Sequence, residues 1–337
     1  MLPSRQWFQA NSFLLLLGAV LVLAAAAPGL AEEDGPVPLA LLKRIGVFWI
    51  FLNQGVSLSL GELGRGLLRP RLHLWVQSCV YLLFPGLTAL WLILGQALGM
   101  HPDLQAGFWY LALLPTTISS AIALTAVAGG TVSAALFNCT LSSFLAVLWV
   151  PGFSVLLLGT GGANGGGGVD LVGPMLVRVS LAILLPLALG QVLRRWLAPL
   201  FEPRKKLIRR TNTGVILFLV WSAFAQGFLE QVWTRVGGGD WALLAGGVIV
   251  LLASISFLAW AGSGWLRLEP ALRKVALFCG SQKSLAVGLP LSVAVFEGSP
   301  RDLGILLLPL LLYHPLQLAL GGAIASRWAN HEDEKEP

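Results

Sequence analysis

The sequence predicts an all-α polytopic membrane protein, and its composition and its hydrophobic pattern carry that prediction. Of the 337 residues, 56% are hydrophobic and only 11% are charged, whereas a soluble chain carries about a quarter charged residues. Runs of about twenty apolar residues recur along the chain, each long enough to cross roughly 30 Å of hydrocarbon as a helix. These runs lack the ten-residue alternation of barrel strands, so helices are the structure that a bilayer permits.

Ten apolar runs follow one another, and each is predicted to be one transmembrane helix. The spans are about 11–30, 38–60, 72–98, 104–128, 131–158, 171–197, 207–232, 241–265, 272–296 and 303–327. The first run has an alternative, because Arg5, the apolar stretch 13–27 and small residues before Glu32 also resemble a secretory signal peptide cleaved after Ala31. Cleavage would leave nine helices and break the symmetry between the halves of the chain, so a retained first helix is favoured.

A glycine-rich stretch separates the fifth span from the sixth. Residues 159–168 read Gly-Thr-Gly-Gly-Ala-Asn-Gly-Gly-Gly-Gly, a composition typical of a flexible linker. The predicted organisation is a five-helix repeat (1–158), a linker (159–170), a second five-helix repeat (171–328) and a polar cytoplasmic tail (329–337). Because five is an odd number, the two halves enter the membrane from opposite sides, which is the arrangement of an inverted-topology repeat.

The basic residues predict the orientation of the chain. With the N-terminus in the cytoplasm, sixteen lysines and arginines lie on cytoplasmic loops and termini and four on the outer side, as the positive-inside rule requires. Both termini are therefore predicted to be cytoplasmic, in a plasma (cell inner) membrane. The net charge of +6 follows from this orientation and gives no case for nucleic acid. The three cysteines lie in apolar runs and are predicted to be buried free thiols.

Polar residues interrupt the fourth and the ninth span at corresponding places in the two halves. The fourth contains Leu-Pro-Thr-Thr-Ile-Ser-Ser-Ala (114–121), and the ninth contains Gly-Ser-Gln-Lys-Ser (280–284). Unwound backbone at the midplane offers carbonyl groups to a cation and helix N-termini to an anion. The predicted substrate- or ion-binding residues are Thr116, Thr117, Ser119, Ser120, Asn138, Ser281, Gln282, Lys283 and Ser284. The alternative is that serine and threonine bond to the preceding turn and that the proline only kinks its helix.

Lys283 is the most informative of these residues. A charge in the middle of a span costs about a few kcal/mol or more, so it is tolerated mainly where it faces a wet cavity or a partner. Asn53, Gln77 and His314 could line the same cavity, or they could simply tie helices together.

The motifs at these positions bring a family into view. The chain resembles the bile acid:sodium symporter superfamily over nearly its full length, and within it the symporter-like branch that includes the seventh vertebrate bile-acid cotransporter and its bacterial and fungal relatives. The matching stretches are 52–58, 114–121, 128–130 with 134–138, 279–285, and 312–315 with Gln317.

The resemblance implies ten helices. Helices one, two, six and seven would form a panel, and the others a core in which the discontinuous fourth and ninth helices cross. It also implies that Ser120, Asn138 and Gln282 correspond to side-chain ligands of sodium. A glutamine on the third helix takes part in that site in the family, and Gln77 lies near the corresponding position.

Some positions depart from the pattern of that family. Phe278 stands where the bile-acid branch has a glutamate, and Lys283 stands where it has an asparagine. Ala121 and Ala134 replace other polar ligands. Losing a carboxylate and gaining an ammonium opposes cation binding, so sodium bound in the inherited manner is not expected.

The sequence therefore predicts a secondary transporter of a small anionic or amphipathic organic solute, working by alternating access. Lys283 would be a counter-charge for the substrate or a built-in replacement for one cation, and burial can also neutralise a lysine, which leaves proton coupling open. Sodium is the candidate coupling ion, and no other cofactor is expected. The alternative function is a non-transporting membrane regulator of cellular calcium entry, with an unknown protein partner. An enzyme is not expected, because the spans contain no paired carboxylates, metal-ligand set or nucleophile-plus-base spacing.

Overall fold

The structure is a computed structural model that describes residues 5–32, 38–57, 69–158, 169–296, 299 and 301–333, and these residues form helices and no strand. The helices are α1 (Arg5–Ala26), α2 (Leu39–Ser57), α3 (Pro70–Ser78), α4 (Phe84–Ala97), α5 (Pro102–Leu113), α6 (Ile118–Val127), α7 (Val132–Leu158), α8 (Val169–Phe201), α9 (Lys205–Leu229), α10 (Gly238–Trp265), α11 (Pro270–Ser281), α12 (Leu285–Phe296) and α13 (Leu303–Asp333). The glycine-rich stretch 159–168 and the last four residues of the predicted tail lie outside the described residues.

Several of these helices are long and apolar enough to cross a bilayer. Within the described residues there are five such stretches, or six if the bent pair α5 and α6 counts as one span. The five stretches are Leu39–Ser57, Pro70–Ala97, Leu181–Leu229, Gly238–Trp265 and Leu303–Asn330. The prediction of an all-α polytopic membrane protein is confirmed in this form.

Prolines begin three of the helices. Pro70, Pro102 and Pro270 occupy the first positions of α3, α5 and α11. Proline is well suited there, because the first N–H groups of a helix have no partner within the helix and the fixed φ of proline matches the helical value.

The chain forms two compact units, of which the first comprises residues 1–57, 177–236 and 289–305. Helices α2 and α8 approach each other closely at Gly55 and Gly190, where each glycine lies against the backbone of the other helix. Gln191 next to this crossing donates its Nε2 hydrogen to the carbonyl of Gly55 at 2.8 Å. Small residues let helix backbones approach in a membrane, so that packing and hydrogen bonding can replace the hydrophobic effect.

The second unit comprises residues 58–176, 237–288 and 306–337. Its core is a set of small and branched apolar side chains from α3, α6, α7, α11 and α13. The thiols of Cys139 on α7 and Cys279 on α11 lie 3.7 Å apart inside it, and all three cysteines are free and buried, as the sequence predicts. Polar groups inside this unit need partners from the protein itself, because such a core excludes water.

Asp240 joins the starts of two helices of the second unit. Its Oδ1 accepts the backbone N–H of His101 at 2.7 Å, just before α5, and its Oδ2 accepts the N–H of Gly237 at 3.0 Å, which caps α10. We expect Asp240→Ala to destabilise the protein by about 1–2 kcal/mol, because both N–H groups lose a charged acceptor. The melting temperature of the purified protein measures this. Asp240→Asn keeps one acceptor oxygen and should fall between alanine and wild type; an alanine variant as stable as wild type would contradict the assignment.

Candidate functional site

Two interruptions between helices of the second unit lie side by side. After α5 the chain is extended at Leu114 and Thr117, and after α11 it is extended at Gln282. The N–H of Ser284 donates to the carbonyl of Pro115 at 2.8 Å, so the interruptions are joined through their backbones. α5 and α6 meet at an angle of 59° across the first one.

Three of the predicted site residues form one hydrogen-bonded chain at this place. The hydroxyl groups of Thr117 and Ser120 are 2.8 Å apart, and Ser120 Oγ donates to Gln282 Oε1 at 2.8 Å. Gln282 is only 1% exposed and its Nε2 has no hydrogen-bond partner, although it lines a small cavity that Ser281 and Gln317 also line. A buried amide donor without a partner is costly, which marks this position as one that could bind an acceptor.

The Lys283 side chain points into a cradle of backbone carbonyls and is 0% exposed. Its Nζ donates to the carbonyl oxygens of Ala112 at 2.8 Å, Leu114 at 2.9 Å and Val80 at 3.0 Å. The ring of Phe84 lies 4.3 Å from Nζ, within the range of a cation–π contact. The partner that the sequence requires for this charge is therefore the backbone of α5 and of the turn between α3 and α4.

Prolines explain why two of these carbonyls are available. The turn Cys79–Leu83 is π-helical, so the N–H of Phe84 bonds to Cys79 and not to Val80, and Pro85 has no N–H to offer Val80 in its place. In the same way Pro115 removes one donor near Ala112. The next donor, the N–H of Thr116, is used by the hydroxyl of Ser142 at 3.1 Å.

The backbone of Lys283 is fixed by a residue that the sequence analysis did not place in the site. Gln317 on α13 accepts the N–H of Lys283 on its Oε1 at 2.7 Å and donates its Nε2 hydrogen to the Lys283 carbonyl at 2.9 Å. The same Nε2 lies 2.8 Å from Nδ1 of His314, one turn earlier on α13. Tyr313 donates to the carbonyl of Ser281 at 2.6 Å. One sequence signal for this group is the polar pattern Tyr-His-Pro-Leu-Gln in a span that is otherwise apolar.

Asn138 and Gln77 form a second polar group on α7 and α3. Gln77 Nε2 donates to the Asn138 carbonyl at 3.2 Å, and the Asn138 side chain donates to the carbonyl of Ala134 at 2.8 Å. The Oδ1 of Asn138 accepts a hydrogen bond from Nδ1 of His73 at 3.2 Å. His73 is a further polar residue that the sequence analysis missed, because nothing in its local sequence shows that it faces Asn138.

The other predicted residues have more local roles in the described structure. Ser281 Oγ bonds back to the Leu277 carbonyl at 2.7 Å, and Ser284 Oγ accepts the N–H of Val287 at 3.3 Å at the start of α12. The Thr116 hydroxyl is buried without a partner, whereas Ser119 is exposed. Asn53 belongs to the first unit, where its Nδ2 donates to Asn212 Oδ1 at 3.1 Å and ties α2 to α9.

The candidate sodium ligands form a neutral set. Within the described ranges there is no group of three or more His, Cys, Asp or Glu residues that could hold a metal ion. Ser120 and Gln282 already bond to each other and Asn138 to His73, while Phe278 packs edge-on against Trp328. These oxygens are all neutral, whereas a sodium site that relies on a carboxylate brings a negative charge to the ion.

Comparison with known proteins decides the family. A model of the SBF-like CPA transporter family matches residues 11–330. The chain belongs to this family.

Individual relatives align with almost the whole length of this chain. It is 34% identical to Uncharacterized protein PA2026 of Pseudomonas aeruginosa over 98% of this chain and 96% of that protein. It is 33% identical to Putative symporter YfeH of Escherichia coli over 96% and 94%. It is 29% identical to Sodium/bile acid cotransporter 7-B of Xenopus laevis over 95% and 90%. The predicted resemblance is thus confirmed, and the comparisons give no support to the alternative of a calcium-entry regulator.

Proposed function

We propose that this protein is a secondary transporter that moves a small anionic or amphipathic organic solute across a plasma or cell inner membrane by alternating access. The observation that carries the proposal is the pair of joined interruptions, where Ser284 bonds to Pro115 and a polar chain runs from Thr117 to Gln282. Unwound backbone at membrane depth is tolerated where it is buried in protein or lines a water-filled cavity, and paired discontinuous helices form the binding sites of many secondary transporters.

The proposed architecture is ten spans in an inverted five-plus-five repeat with both termini in the cytoplasm. In this arrangement α3 with α4, α5 with α6, and α11 with α12 each make one span, and every other described helix makes its own. The fourth span of the first half, α5 with α6, and the fourth span of the second half, α11 with α12, then each contain one of the two interruptions. The orientation rests on the excess of lysine and arginine on the loops assigned to the cytoplasm.

An anionic solute fits the proposed site better than a cationic one. The N-termini of α6 and α12, at Ile118 and Leu285, begin directly after the interruptions, and helix N-termini favour negative charge. The buried Nε2 of Gln282 adds a hydrogen-bond donor. The Xenopus laevis relative is named for sodium and bile acid, and a bile salt is an amphipathic anion of the proposed class.

The coupling ion of the proposed transporter is sodium, a proton or neither. A sodium ion would use the neutral oxygens of Ser120, Asn138 and Gln282. The deciding experiment is uptake of a panel of organic anions, including a bile salt, into proteoliposomes under imposed sodium and proton gradients. Absence of uptake and of exchange for the whole panel would contradict transport.

Gln282→Leu should lower that uptake by about tenfold, equivalent to ~1.4 kcal/mol, because it removes the free donor and the acceptor of Ser120 while keeping the volume. Uptake per folded protein measures this. The matched control is Gln226→Leu on α9, whose side chain bonds only to the exposed Glu230 among the contacts described. Equal uptake in the two variants would remove Gln282 from the site.

A further inference from the structure

The geometry around Lys283 matches the three donors of a protonated amine. Three carbonyl oxygens lie 2.8–3.0 Å from Nζ, and a carbonyl oxygen can only accept a hydrogen bond. A neutral amine has two N–H donors, whereas an ammonium has three. Each of the three contacts is satisfied only when Lys283 carries its full charge.

The cradle itself has the chemistry of a small cation site. Its ligands are backbone carbonyl oxygens, which replace the water around alkali cations in proteins. Ala112 and Leu114 belong to the C-terminal end of α5, where the negative end of the helix dipole adds attraction. The face of Phe84 closes a further side. An arrangement that suits a free cation is thus occupied by the end of a side chain.

We propose that Lys283 is a tethered cation, which permanently fills a carbonyl site that would otherwise bind a small mobile cation. The proposal rests on the proposed function only in its consequence for coupling: a transporter whose cation is part of the chain needs no dissolved ion at this position. The proposal chooses between the two roles considered for Lys283, a counter-charge for the substrate and a replacement for a cation. Its Nζ is 0% exposed and has all its donors in use, so it is not placed to pair with a substrate.

Lys283→Ala tests the proposal, because it leaves the carbonyls and opens the space of the side chain. We expect the melting temperature of this variant to fall by roughly 5–10 °C. It should then rise again with sodium, ammonium or ethylammonium chloride, since ligands that bind only the folded state stabilise it. Choline chloride at the same ionic strength is the inert control, because its head group is too bulky for three carbonyls at hydrogen-bonding distance.

Lys274→Ala is the matched variant. Lys274 lies on α11, which ends two residues before Lys283, is also buried, and has its Nζ near the ring of Trp328. We expect this variant to lose stability without gaining a response to small cations. If Lys283→Ala responds to sodium and ethylammonium no more than Lys274→Ala does, the proposal is wrong.

A measurement on the intact side chain covers the case in which Lys283→Ala does not fold. The chain has six lysines, and the other five are Lys43, Lys205, Lys206, Lys274 and Lys335. With these five replaced by arginine and the remaining lysine labelled with 15N at Nζ, NMR should show an NH3+ group whose protons exchange slowly with water. A neutral or rapidly exchanging amine overturns the proposal.

The two hypotheses fail separately. Cation-dependent stability of Lys283→Ala without uptake of any anion by the wild type would keep the tethered cation and reject the transporter. Uptake by the wild type, together with a stability of Lys283→Ala that does not depend on cations, would keep the transporter and reject the tethered cation.

Discussion

Gln317→Leu should be one of the most damaging single substitutions in the second unit, with a loss of roughly 2–5 kcal/mol. Gln317 is 2% exposed and bonds to both the N–H and the carbonyl of Lys283. Leucine keeps a similar volume but leaves both backbone groups buried without a partner. Because the Lys283 backbone sets the direction of its side chain, the cradle contacts at Nζ should weaken as well.

The melting temperature of the purified protein measures the loss, and uptake per folded protein should fall with it. Gln105→Leu is the control. Among the contacts of the described residues, the side chain of Gln105 on α5 makes one hydrogen bond, from its Nε2 to the Met100 carbonyl at 2.7 Å. It is only partly buried, so its loss should stay near 1 kcal/mol. Equal losses in the two variants would show that the bonds to Lys283 have no special weight.

Gly190→Ala should destabilise the first unit by about 1–3 kcal/mol or more. A Cβ at this position would collide with the carbonyl oxygen of Leu52 and lie 2.9 Å from Cα of Gly55. These are backbone atoms of α2, so they cannot turn away as a side chain would. The clash is relieved only if α2 and α8 separate, which would also stretch the bond from Gln191 to Gly55.

Gly214→Ala on α9 is the matched control, because a Cβ there has nothing within 4 Å. Alanine is the better helix former, so this variant should be neutral or more stable by about 0.5–1 kcal/mol. Thermal unfolding of both variants gives the comparison. If Gly190→Ala melts at the temperature of wild type, the close crossing of α2 and α8 is not a real constraint.

The membrane class and the family could be read from the sequence because both depend on features spread along the chain. Apolar runs report on the solvent around a helix, and motifs such as 114–121 and 279–285 are short contiguous stretches that can be recognised in the sequence. The places where helices stop near Pro115 and Gln282 could be predicted for the same reason, since a proline or a polar cluster acts on its own neighbours.

The partners of Lys283 could not be predicted, because they are backbone atoms far away in the sequence. Val80 and Ala112 offer carbonyls whatever their side chains, so no residue type marks them. The π-helical turn was missed as well: Cys79–Leu83 is an apolar segment inside a long apolar run. Asn53 shows the opposite limit, because its polarity was noticed but its partner, Asn212, could only be found in three dimensions.

The two prolines beside the cradle limit which substitutions the chain can tolerate at Lys283. Pro85 and Pro115 free carbonyls that need a donor or a cation in a dry core, and Lys283 is a buried group that needs acceptors such as these carbonyls. A chain that lost the lysine and kept the prolines would carry orphaned acceptors, and one that gained the lysine beside regular helices would carry an orphaned charge. Replacing the lysine alone or the prolines alone therefore leaves a buried group without its partner, unless a dissolved ion stands in for the missing ammonium.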